Sequence, residues 1–258
     1  MTTFKRSIVD SAGQPWAGRQ FEPNRFPDDD GTAPKALSDA LSLFREGRVG
    51  ASRVVEVFAQ SRLLVPLVTV LGEEGRSEYG IKVDKSQELS VAIVQAPDGR
   101  HALPVFSSVE AMNKWNPATR PVAVMGQHVA ASALEEGTEL VVLDPTSETE
   151  FAIRRPALMA IVEGKPWVPS PESVEVARAF SETIANLGAK VRELELSSGD
   201  PTSQLQGSEL TITISLVDGL SKLELEELIA ELGSIWKSHP VITELVDSMA
   251  IRFTNAKR

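Results

Sequence analysis

One stretch constrains the fold of this chain more than any other: Arg100-His101-Ala102-Leu103-Pro104-Val105-Phe106-Ser107-Ser108-Val109-Glu110-Ala111-Met112. Its first half reads as a strand and its second half as a helix. The switch falls at the serines, where Ser107 and Glu110 stand at the spacing of a capping box and Ser108 offers a second cap. Upstream, Leu89 to Gln95 is another β-rich run, joined to the first by Ala96-Pro97-Asp98-Gly99. Proline and glycine supply the dihedral angles of a tight turn, so the pattern predicts a hairpin that feeds straight into a helix.

Residues 35–165 continue in this way. Leu37, Leu41 and Phe44 share a helical face that ends at Gly47, and Val54, Val55 and Phe58 share another over about 51–61. The run Leu63 to Val68 is apolar without alternation, the pattern of a strand buried on both faces. Pro66 inside it donates no ladder hydrogen bond and points to an edge or a bulge. A charged loop is expected over 72–87. The helix after Ser107-Ser108 is expected to reach about Trp115, before Pro117. Strands at 121–125, 139–143 and 151–153 alternate with helices at 127–136 and about 155–163. Interleaved helices and strands with a tight hairpin predict an α/β (α+β) fold, a mixed β-sheet covered by helices.

Residues 166–170 read as a proline-rich linker that Trp167 pins to one domain. Residues 171–258 are expected to form a smaller α+β domain with an antiparallel sheet. Ser170, Pro171 and Glu172 suit a helix start. Val176, Phe180, Ile184 and Leu187 then make the inner stripe up to Gly188. A strand over 190–196 precedes one over 210–217, where Leu210, Ile212, Ile214 and Leu216 alternate with Thr211, Thr213 and Ser215. Helices follow over 221–236 and about 241–249. A sheet of two or three strands needs its edge or open side covered, so docking on the first domain or on a second copy is expected.

Residues 1–34 read as an extended N-terminal arm whose aromatics, Trp16, Phe21 and Phe26, pack onto the main body. The alternative for this arm is that Trp16 and Arg19 border a binding groove. The net charge of −10 and pI of about 5.0 weigh against nucleic-acid or anionic-membrane binding. The sequence has no cysteine, which excludes disulfides, thiol catalysis, thiolate metal sites and iron–sulfur clusters. Met1 to Arg6 carries no apolar signal core, and the run Leu63 to Leu71 is too short to span a bilayer. A soluble cytoplasmic protein is expected.

The search for chemistry assigns no catalytic residue, no metal ligand and no cofactor. His101, His128 and His239 do not stand at zinc-pair spacing, and neither a G-x-S-x-G elbow nor a Walker or dinucleotide loop is present. Asp28-Asp29-Asp30-Gly31 offers hard oxygen ligands without the spacing of a calcium loop, so a solvated turn is expected. Arg62, Asp84 and Lys85 border strand ends, where they would hold a polar ligand or pair with one another. The candidate binding surface therefore comprises Trp16, Arg19, Arg62, Asp84, Lys85, Ser107, Ser108 and Trp115.

Several of these residues carry a resemblance. Leu63-Leu64-Val65-Pro66, Asp84-Lys85 with Glu88-Leu89, Leu103-Pro104-Val105-Phe106-Ser107-Ser108-Val109-Glu110 and Trp115 together resemble the N-terminal domain of the SseB family. These are bacterial proteins named for enhanced serine sensitivity. Val142-Leu143-Asp144-Pro145 is similar to a later strand-end motif, usually Asn-Pro-Gly, with Asp144 for Asn and Thr146 for Gly. The arm around Pro15-Trp16-Ala17-Gly18-Arg19 looks like an extension found in one branch of the family. Residues 171–258 resemble the family's C-terminal domain in the order of their elements. The resemblance implies no catalytic residues. The leading expectation is a non-enzymatic module that binds or regulates other proteins, or associates with itself. The alternative is a sensor or enzyme for a small molecule related to amino acids.

Overall fold

A computed structural model describes residues 26–71, 87–185 and 190–255. Phe26 to Asp30 form a short exposed turn in which the Asp29 amide donates to the Phe26 carbonyl (3.2 Å), in keeping with a solvated acidic turn. A separate compact unit begins at Gly31.

The chain enters this unit through α1 (Lys35–Arg45) and α2 (Ala51–Ala59), both on the predicted stripes. Leu37 and Leu41 from one helix and Val54 and Phe58 from the other are buried in a shared core. Burying a side chain of this size contributes about 1.5–3 kcal/mol each. Two sheets back these helices. The first holds β1 (Arg62–Leu71) between β2 (Gln87–Val91) and β5 (Arg120–Met125), all antiparallel. The second has the order β3 (Val94–Gln95), β4 (His101–Val105), β6 (Leu140–Leu143), β7 (Phe151–Arg154). In it β4 and β6 run parallel while the outer pairs run antiparallel. A bridge between Leu64 and Phe106, with both amides bonded across at 2.8 and 2.9 Å, ties the sheets together. Helices α3 (Val109–Trp115), α4 (Gly126–Glu135) and α5 (Arg155–Glu163) complete this part.

The expected hairpin forms at Gly99, which takes φ +88°, but the run before it divides. Its first residues pair with β1, and only Val94 and Gln95 pair with β4. Pro66 lies in the middle strand, not at an edge or a bulge. Its carbonyl accepts the Ala92 amide (3.1 Å), so the missing N–H faces the residue just past β2, where the β1–β2 ladder has ended at the Leu67–Val91 pair.

Beyond a linker whose Trp167 packs on the first core, Ser170–Glu172 make a single 3₁₀ turn. Helix α6 (Val174–Ala185) starts later than the serine at 170 implied, because Ser173 Oγ takes the capping bond from the Val176 amide (3.3 Å). Strand β8 (Val191–Ser198) pairs antiparallel with β9 (Leu210–Leu216), as expected. Helix α7 (Lys222–Ser238) opens on a capping box formed by Ser221 and Glu224. Helix α8 (Pro240–Leu245) is shorter than predicted, and Met249–Asn255 form a strand, β10, parallel to β9. The sheet beyond the linker is therefore mixed, not purely antiparallel. Leu210, Ile212 and Ile214 bury against Phe180 and Trp236, whose rings meet edge-on at 5.0 Å.

The β8–β9 loop lies on the side of the four-stranded sheet opposite its helices. Leu205 joins Ala96, Ala102, Leu140, Val142 and Ala152 in an apolar cluster, and the Ala152 amide donates to the Ser203 carbonyl (2.7 Å). Among the described residues no helix is long and apolar enough to cross a membrane.

Close packing at one glycine gives a sharp test. A Cβ on Gly126, the first residue of α4, would meet the Phe58 carbonyl oxygen at 2.0 Å. Gly126→Ala is expected to lower unfolding free energy in urea by about 2–3 kcal/mol.

Candidate functional site

Strand direction brings Arg62 and Ser107 together although 45 residues separate them. The start of β1 lies beside the end of β4 through the antiparallel Leu64–Phe106 bridge. Arg62 Nη1 donates to the Ser107 carbonyl (2.9 Å), and Nη2 donates to the Thr32 carbonyl. The next strand over, β6, runs parallel to β4, and Asp144 directly follows its last residue. Asp144 is buried, and its carboxylate accepts the Ser107 amide (2.8 Å), the Ser107 hydroxyl (2.7 Å) and the Thr149 hydroxyl (3.0 Å).

This bond changes the expected cap. Ser107 is spent on Asp144, so Ser108 caps α3 by accepting the Ala111 amide (3.1 Å). Glu110 does not close a box; it pairs with Lys114 on the exposed face (2.8 Å). Trp115 at the end of α3 is half-buried and rests against Phe106, ring centres 5.3 Å apart. Of the predicted surface, then, Arg62, Ser107, Ser108 and Trp115 converge. Trp16, Arg19, Asp84 and Lys85 lie outside the described residues.

The turn after β6 is strained. Asp144 has φ +47° and Thr146 φ +66°, left-handed values that a β-branched residue rarely adopts. The Thr146 amide is held by the Glu150 carboxylate (2.6 Å), and the Ser147 hydroxyl donates to the Asp144 carbonyl (2.7 Å). Burial pushes the Asp144 carboxyl above its usual range, against the lowering effect of the Ser107 and Thr149 bonds. A carboxylate can serve as a base or a ligand, but these oxygens already take donors from the chain itself. His101 begins β4 while Ser107 follows its far end, roughly 20 Å away along the strand. Among the described residues no group of three or more His, Asp or Glu is placed to hold a metal ion.

A second polar centre escaped the sequence reading. Arg154, at the end of β7, is buried and donates to Asp200 Oδ2 (2.7 Å), Asp247 Oδ2 (2.9 Å), Ser248 Oγ (3.2 Å) and the Gly207 carbonyl (3.1 Å). Arg100, beside the hairpin turn, grips both oxygens of Asp247 (2.8 and 3.0 Å). Burial alone would raise the Asp247 carboxyl; hydrogen bonding and charge from Arg100, then from Arg154, hold it below its usual range. Glu209 accepts the Asp247 amide (2.7 Å) and the Ser170 amide (3.3 Å), and its burial pushes its carboxyl up. Partners 46 and 93 residues away carry no local signal.

The arrangement defines an α+β protein in which parallel strand ends are locked by a buried carboxylate. Residues 37–160 match the family described as SseB protein N-terminal domain. The chain carries an SseB N-terminal domain over those residues, as the motifs around Phe106-Ser107 and Asp144-Pro145 implied. No curated protein and no solved structure matches the chain.

Three substitutions test the two centres. A raised carboxyl means that the folded state keeps its proton to higher pH than the unfolded chain. Its stabilising contribution is full below the unfolded carboxyl range and is lost as pH rises through the folded value. Asp144→Asn suits φ +47° and removes this dependence. It is expected to change stability by less than about 1 kcal/mol at pH 7, whereas Asp144→Ala leaves a buried amide unpaired and costs about 2–3 kcal/mol. Urea unfolding at several pH values reads both effects. Arg154→Met strands Asp200 beside a neutral side chain and is expected to cost about 3–5 kcal/mol in the same assay.

Proposed function

We propose that this SseB-domain protein acts by binding another protein through the far end of its first sheet. One observation carries the reading. Register places Val122 beside Val65 and Val91 beside Leu67, all on one face. Helices cover that face near Leu63, which is fully buried, but the cover runs out toward Leu67. There Val91 is 43%, Val122 39% and the following Ile93 45% exposed. Apolar side chains grouped in this way are a common mark of a protein-binding surface.

In this reading Arg62, Ser107, Ser108 and Asp144 hold strand ends and a helix start in place, and do not carry out a reaction. Residues 171–258 correspond to the family's C-terminal domain, and the protein works in the cytoplasm. The partner presents an apolar strand or helix face.

A photo-crosslinker placed at position 122 should capture a defined partner in cells. Calorimetry with that partner, purified, should show binding weakened at least roughly tenfold by Val91→Glu combined with Val122→Glu. The pair sits on the surface, so melting is expected to stay near the wild-type value. Unchanged affinity in the double variant, or no crosslink at position 122, would refute the proposal. If the captured partner is a second copy of the chain, sedimentation of the variant should show loss of that association.

A further inference from the structure

Strand β10 is an outer strand of the sheet beyond the linker, and among the described residues no other strand flanks its far side. Outer strands invite pairing and are normally guarded against it. Strand β5 carries Pro121, and β8 carries a register shift after Val191 and the exposed side chains of Glu193 and Glu195. Strand β10, Met249-Ala250-Ile251-Arg252-Phe253-Thr254-Asn255, has no proline and pairs with β9 without a break in register; its one charge is Arg252.

The ladder shows which backbone groups β10 offers. The Leu210 amide donates to the Ser248 carbonyl (3.0 Å), and Met249 lies opposite Leu210. This alternation turns the amides and carbonyls of Ala250, Arg252 and Thr254 toward β9, and those of Met249, Ile251 and Phe253 toward the open edge. The side chains of these last three continue the core rows of β9. Leu210, Ile212 and Ile214 are fully buried, but the residues paired with them, Met249, Ile251 and Phe253, are only half-buried. The apolar rows are dry on the middle strand and part-bare on the outer one.

We infer that β10 pairs antiparallel with β10 of a second copy, about a two-fold axis at Ile251. Such an axis, perpendicular to the sheet, keeps the helix-covered faces of both copies on one side. It also sets the edge-facing amides and carbonyls of the two strands against each other. Ile251 then meets Ile251 of the second copy and Met249 meets its Phe253, so the apolar rows run on across the junction. On the polar face Arg252 meets Ala250. An axis one residue further on, at Arg252, would place two guanidiniums opposite each other, a like-charge pair that disfavours that register. The strand is thus complementary to itself in apolar row, backbone groups and charge. This edge is separate from the exposed sheet face proposed above, so either reading can fail without the other.

Sedimentation of the full chain should show a concentration-dependent dimer. Ala250→Arg places a second charge opposite Arg252 of the other copy and should weaken association at least roughly tenfold; adding Arg252→Glu should restore it. Val91→Glu combined with Val122→Glu should leave the dimer intact. The native chain has no cysteine, so an introduced one reports its own neighbour. In the proposed pairing the two Cα atoms at position 251 lie about 5.5 Å apart, within disulfide reach. Ile251→Cys should therefore give a linked dimer under mild oxidation, and Thr213→Cys on the middle strand should not. If Ile251→Cys fails to fold, the Ala250 variants decide the matter. A chain that stays monomeric at high concentration would overturn the inference. So would a dimer indifferent to Ala250→Arg, equal crosslinking at 251 and 213, or a photo-crosslinker at position 250 that captures a different protein in place of a second copy.

Discussion

Arg154 is the side chain on which the assembly of the described fold turns. A guanidinium taken out of water costs several kcal/mol unless charge and hydrogen bonds replace what water supplied. Here Asp200, Asp247, Ser248 and the Gly207 carbonyl replace it, and all of them come from beyond the linker. Arg154 itself belongs to β7, on the other side of that linker. Its burial therefore requires both parts in register. Asp200, while bound to Arg154, also collects the amides of its own loop and bends that loop toward the sheet. Leu205 then reaches the apolar cluster under β4 and β6, with φ +57° as the conformational cost. Asp247 fixes the start of β10 in the same way, and its amide ties Glu209 to the group.

Asp144 plays the corresponding part at the ends of β4 and β6. Parallel strands end side by side, and their terminal backbone groups need partners. One carboxylate supplies them for β4, and its left-handed backbone turns the chain out of β6. Asn and Gly are the residue types that tolerate left-handed backbone most easily. This chain places Asp144 and Thr146 there and holds Thr146 with the Glu150 carboxylate. The SseB domain match covers both ends of this contact.

Residue pattern revealed a good part of this. The stripes of α1 and α2, the Pro-Asp-Gly turn, the serine-capped α3 and the alternation of β9 are local, and each is written within a dozen residues. The convergence of Arg62 with Ser107 was partly legible, because both flank strands and the turn between β3 and β4 sets their order. The choice of Ser108 over Ser107 as the cap was not, since it depends on Asp144 arriving from 37 residues away. Strand β10 carried a readable signal in the alternation of Met249, Ile251 and Phe253, which pack on the second core. A helical reading carried past Leu245 obscured it.

From sequence alone came everything governed by neighbours along the chain: element types, turns, caps within three residues and apolar faces. Periodicity and backbone stereochemistry act over that range. The tertiary structure decided which distant charges meet and therefore which polar residues matter. Arg100, Arg154, Asp200 and Asp247 look like ordinary surface residues until folding removes water from around them. Once water is gone, Coulomb attraction and unmet hydrogen bonds select their partners, and no spacing in the sequence records that selection.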